Sequence, residues 1–151
     1  MTETVKNISD ILIEFEAQLR GDVRTKDMIV SRMGHVNLDA SRAVKGWVGI
    51  YADGVRYEPR TLGMGFQNWN FVLDVKLVVQ ASHANDSGEA HKRLERFIKD
   101  VLDVLFEDVT VGSLVEKLDE LQIEYATDEN DSASLHFEGA LISLQFSGRT
   151  N

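Results

Sequence analysis

The chain has no cysteine and a single proline, Pro59, among its 151 residues. Without thiols there are no disulfides and no thiolate metal sites, so the fold must be held by packing and hydrogen bonds. The matching expectation is a reducing compartment, with the cytoplasm as default. No apolar run reaches the roughly 18 residues that suggest a membrane span. The start, Met1-Thr2-Glu3-Thr4, has neither the basic residues nor the apolar stretch of a secretion signal. Gly63 and Gly65 lack the spacing of a phosphate-binding loop, and there is no dinucleotide fingerprint. His35, His83, His91 and His136 are scattered, none placed on a helix turn from another as a metal pair requires. Only His91 and Glu95 share a helix face, and a solvated pair is the ordinary account of them. The serines lack a nucleophile elbow. No catalytic, cofactor-binding or metal-ligating residue is therefore singled out, and the expectation is a protein that is not an enzyme.

What is present is a core and a divided charge. With 43% hydrophobic residues the chain reads as one domain, 1–151, able to bury roughly two thirds of its unfolded surface. The net charge of −9 is unevenly spread. Residues 100–131 hold eleven acids against one base, Lys117, whereas the stretch from Arg20 to Lys99 has thirteen bases and nine acids. Two readings stand side by side: a solvated acidic face, or acidic and basic surfaces that meet between identical subunits in head-to-tail order. Tight binding to the outside of a DNA duplex is disfavoured, because phosphate contacts need clustered cations.

Periodicity gives the elements. Val5, Ile8, Leu12, Phe15 and Leu19 form one helical stripe over residues 4–20, ending at Gly21. Residues 22–45 read as a loop, with a short strand at Met28 to Val30. Gly46 to Tyr51 is a strand, Ala52-Asp53-Gly54 a turn, and Val55 to Leu62 the returning half of a hairpin. Phe71, Leu73, Val75, Leu77, Val79 and Ala81 alternate with more polar positions and predict a central strand. Asn85-Asp86-Ser87 caps a helix whose stripe is Ala90, Leu94, Phe97, Val101 and Leu105. Its charges oppose the helix dipole, with Lys92, Arg93 and Arg96 near the start and Asp103, Glu107 and Asp108 at the end. Ser113 to Glu116 has the pattern of a capping box, so Leu118 and Leu121 read as a short helix. The alternation of the last segment changes phase at Gly139, which predicts a bulge in a closing strand or a tight turn. The fold class expected is α/β (α+β): a mixed, mostly antiparallel sheet of about four to five strands carrying an N-terminal helix and a long helix. Trp47, Tyr51, Phe66 and Trp69 fit either core packing or an interface.

This order of elements resembles the tail terminator, or tail completion, proteins of long-tailed bacteriophages. Thr110-Val111-Gly112-Ser113 stands where that family commonly has a "Thr-Leu-Gly-Gly" type turn after its long helix, and Glu124-Tyr125 matches an extended "Glu-Tyr" segment soon after. Ser41-Arg42-Ala43-Val44 replaces the proline-rich approach of many relatives. The resemblance implies a hexameric ring that caps the tail tube, ends its growth and offers a surface for the head. Partners would be further copies of itself, the tail tube protein and a head completion or neck protein, with DNA only as passing cargo, in the virion tail. It implies no cofactor and no membrane. The charge and aromatic pattern then nominates Arg24, Lys26, Arg32, Trp47, Trp69, Glu107, Asp108 and Glu124 as subunit or partner contacts. Other readings are a neck or tail tube protein, a small cytoplasmic ligand-binding domain or enzyme, and an assembly adaptor.

Overall fold

The computed structural model describes residues 8–32, 46–59, 69–83, 87–127 and 136–150. Their order is α1 (Ile8–Gly21), β1 (Ile29–Arg32), β2 (Trp47–Pro59), β3 (Trp69–His83), α2 (Ser87–Glu107), β4 (Lys117–Thr127) and β5 (His136–Thr150). The five strands form one sheet in the order β1-β2-β3-β5-β4, parallel between β1 and β2 and antiparallel elsewhere. The expected α+β class holds, and β3 is the central strand.

The core lies on one face of the sheet. Phe71, Leu73, Val75, Leu77, Val79 and Ala81 of β3 are buried, as are Ala140, Ile142, Leu144 and Phe146 of β5. Each large side chain removed from water stabilises the fold by about 1.5–3 kcal/mol. Alternation is the cause: every second residue points to the same face, so one apolar set meets both helices. Helix α1 places Ile11, Leu12, Phe15 and Leu19 over β1 and β2, while α2 places Ala90, Leu94, Val101 and Leu105 over β3 and β5. The end of α1 is closed by Thr25, whose hydroxyl donates to the Leu19 carbonyl, one of the acceptors a helix terminus leaves open. None of the described helices is long and apolar enough to cross a membrane.

Three expected elements are corrected. The hairpin at Ala52-Asp53-Gly54 is absent: β2 runs straight through, and Asp53 is the extra residue of a bulge against β3. The long partner strand supplies hydrogen bonds on both sides of Asp53, so the Asp-Gly pair absorbs a phase shift and does not reverse the chain. The short helix after Ser113 is also absent, because Lys117–Thr127 is strand β4. Leu118 and Leu121 sit three apart like helix neighbours, but Asp119 is looped out as a second bulge. Leu118 thus faces Phe146 and Leu121 faces Leu144, on one side of a strand. Finally, Gly139 marks neither bulge nor turn: β5 pairs with β3 without interruption from His136 to Thr150, and it is an inner strand of the sheet. The phase is kept by Glu138, a buried carboxyl at the position where the sequence pattern expects an apolar residue.

In the segment read as loop, residues 29–32 form β1, starting one residue and ending two residues after the expected Met28 to Val30, and 22–28 form tight turns. Residues 33–45, the helix cap at Asn85 and Asp86, and Phe66 lie outside the described residues.

Candidate functional site

The sheet has two unlike ends. At the β1 end, Asp22 to Met28 make the turn between α1 and β1, and the Asp22 carboxylate accepts bonds from both the backbone and the guanidinium of Arg24. That fork of hydrogen bonds lowers the Asp22 carboxyl from 3.8 to about 2 and raises the Arg24 guanidinium. Arg24 also reaches Glu107 at 2.7 Å, which ties the turn to the last residue of α2. Beside it Arg24, Met28, Arg93, Arg96, Phe97 and Asp100 line an open hollow of about 670 Å³. Arg93 is anchored there by donating to the Ser82 carbonyl. Lys26 and Arg32 are exposed, the latter as the last residue of β1.

At the other end, β4 is the edge strand, and no described helix lies over it as α1 and α2 lie over the other four strands. The flank of α2 that faces β4 is fixed by His91, whose ring stands 5.8 Å from that of Tyr125. Helical spacing puts Glu95, Leu102 and Phe106 on that same flank. Leu118, Leu121 and Ile123 of β4 are half-buried against the core, whereas Tyr125 is 55% exposed and Phe106 56%. Acids border this apolar row. Glu95 pairs with His91 at 2.9 Å, and the buried Glu138 lies 3.8 Å from the other His91 nitrogen. Glu120 and Glu124 are exposed on the opposite face of β4, in register with Gln145 and Leu141, and Glu124 accepts from Gln122. Among the described residues no group of three or more side chains is arranged to hold a metal ion.

The open face of the sheet, away from the helices, is polar along β3, β5 and β4. Lys76 donates to Ser143 at 2.7 Å and Gln145 donates to Asp74, next to a shallow depression of about 200 Å³. Trp47 lies on this face in register with Ile29 and Gln80 and is only 7% exposed, so it packs and does not project as an anchor.

Two nominated acids have internal duties. Asp108 follows α2 and organises the turn into β4: its carboxylate accepts from the Thr110 hydroxyl, the Gly112 and Thr110 amides and Gln18. The Thr110 bond is the main reason its carboxyl is held below the usual range. Glu107 is taken by Arg24 of the same subunit. The misdirected charges of α2 are thus satisfied locally in part, Asp103 by Lys99 at 2.6 Å as well, a pairing that raises the lysine. Of the eight nominated contacts, Lys26 and Arg32 fall at the β1 end and Glu124 at the β4 end. Arg24, Glu107 and Asp108 are internal links, Trp47 is buried, and the Trp69 side chain lies outside the described set.

Sequence reasoning missed the uncovered row on β4. The signal was there, in the alternation of Leu121, Ile123 and Tyr125, but the spacing of Leu118 to Leu121 imitated a helix. Comparison with family models and with curated proteins finds no match to the chain.

Proposed function

We propose that this chain is a structural virion subunit, a tail terminator of a long-tailed bacteriophage. It acts by forming a ring on the end of the tail tube, hexameric as the resemblance implies, that stops tube growth and receives the head completion or neck protein. It is assembled in the host cytoplasm and retained in the virion tail, and DNA passes through the ring as cargo. Under this reading the chain works by shape and self-association, with no cofactor and no chemical step.

The observation that carries the reading is the pair of unlike ends on one sheet. One end presents exposed Lys26 and Arg32 beside Asp27, the other an edge strand with half-covered apolar residues on one face and the acids Glu120 and Glu124 on the other. A surface that fits a different surface of the same molecule propagates head to tail, and it closes into a ring when the rotation per subunit allows. The turn that bears the resemblance gives independent support: Val111, Gly112 and Ser113 all have positive φ, at 48°, 64° and 66°. That backbone suits glycine, the residue type the family turn favours at its last two positions.

The test is assembly with a tube. Purified protein, followed by light scattering and negative-stain microscopy, is expected to form closed rings at high concentration and to fix the length of tubes grown from tail tube protein. A particle that stays monomeric throughout and leaves tube length unchanged would remove the reading.

A further inference from the structure

We infer that two copies of this chain pair through the edge of β4, antiparallel and about a two-fold axis at Ile123, so that two five-stranded sheets become one with the helices of both copies on the same side. The inference does not rest on the ring reading. Three observations lead there.

The first is an open edge beside an uncovered face. β4 ends the sheet, and its outer backbone groups meet no other strand among the described residues. Natural edges are blunted by bulges, prolines or lysines. Asp119 is such a bulge, but Leu121 to Thr127 pair with β5 residue for residue and contain neither proline nor lysine. On the core side of this run Leu121 and Ile123 are half-buried, whereas Tyr125 and, on the adjoining flank of α2, Phe106 are more than half exposed. An added strand satisfies the edge through main-chain bonds and covers the alternate side chains.

The second is that Leu121-Gln122-Ile123-Glu124-Tyr125 complements itself when reversed. Antiparallel pairing centred on Ile123 sets Leu121 beside Tyr125 of the second copy, and Ile123 beside Ile123. Directly opposite residues share a face of a sheet, so these side chains from both copies make one apolar strip on the core side. On the open face, Gln122 stands beside Glu124 of the second copy. Its amide already donates to Glu124 of its own strand at 3.1 Å, and the second N–H of that amide serves the carboxylate opposite.

The third is that charge selects this register. With the axis at Ile123, Glu120 lies beside Ala126 and no glutamate is directly opposite another. Moving the axis to Gln122 sets Glu120 against Glu124, and moving it to Glu124 sets that residue against itself. Like charges directly opposite destabilise a sheet. The chosen axis keeps the glutamates on diagonals, about 7–8 Å apart, where salt screens them. The His91 ring, 5.8 Å from that of Tyr125, fixes the tyrosine before the second copy arrives, which lowers the ordering cost of association.

A copy paired in this way has no free β4 edge, so under the ring reading the pair opens before the subunit joins a ring through that edge.

The test is the association state and its register. Sedimentation equilibrium is expected to show a particle of twice 17.0 kDa accumulating with concentration. Its dissociation constant should fall as sodium chloride rises, because no ion pair crosses the contact and the facing glutamates are screened. Gln122→Cys and Glu124→Cys are exposed changes in a chain without native cysteine, so both are expected to fold like the parent by circular dichroism. On mild oxidation their equimolar mixture should give a covalent dimer far more efficiently than either variant alone. A parent that stays at 17.0 kDa at every concentration, a dissociation constant that rises with salt, or variants that crosslink as well alone as in the mixture would each overturn the inference. Rings that form without the mixed crosslink would overturn it too, while leaving the ring reading intact.

Discussion

Arg24 and Glu107 meet at 2.7 Å within one subunit, joining the turn after α1 to the C-terminal end of α2. By sequence these residues belong to opposite charge surpluses, one basic and one acidic, and look like halves of a contact between subunits. Folding brings them together inside a single chain. The electrostatic division of the molecule is therefore partly consumed in building it, and of the charged residues nominated as contacts Lys26, Arg32 and Glu124 remain exposed without such an internal link.

The Asp22 and Arg24 pair should give the turn a pH dependence of known sign. The folded Asp22 carboxyl lies near 2 against 3.8 for the free group. Its contribution is thus fully present above about pH 4 and is lost as pH falls through about 2. In urea titrations across pH, the parent is expected to exceed Asp22→Asn in stability by a constant amount from pH 7 to about 4. The gap should then shrink toward pH 2, and a gap that widens on acidification would refute the assignment.

The corner after α2 holds two residues with side chains in a conformation that favours glycine, Val111 and Ser113. Val111 is buried and its side chain contributes to the core, but Ser113 is exposed. Ser113→Gly is expected to raise unfolding free energy by about 1 kcal/mol, the approximate cost of the left-handed region for an L-residue. Gly112→Ala should lower it by about 1–2 kcal/mol. There the added methyl would also lie 2.9 Å from Cγ of Glu14. Denaturant midpoints check both, and equal effects of the two substitutions would contradict this account of the corner.

Gly148 is directly across from Phe71 in the β3 and β5 ladder. A methyl group there would lie 2.7 Å from the Phe71 ring, which is fully enclosed. Gly148→Ala is expected to cost about 1–3 kcal/mol, the usual range for overpacking a core. Gly54→Ala, where nothing lies within 4 Å, should stay within about 0.5 kcal/mol of the parent. Thermal unfolding of the pair separates them, and a Gly148→Ala variant as stable as the parent would mean the ring can move aside.

Period and composition alone determined the larger elements of this protein: the two helices, the long central strand, the one-sided core and the uneven charge. These are legible because a buried face repeats every 3.6 residues on a helix and every two on a strand, whatever the neighbours do. Tertiary structure decided the rest. Asp53 and Asp119 each add one residue to a strand, so Ala52-Asp53-Gly54 imitated a turn and Leu118 to Leu121 imitated a helix. Only a paired strand can reveal that the extra residue is looped out while the ladder continues. Which charges face outward was likewise settled by folding, since an ion pair depends on distance in space and not along the chain. The uncovered side of β4 is also a property of the whole fold, because it exists only where five strands meet two helices.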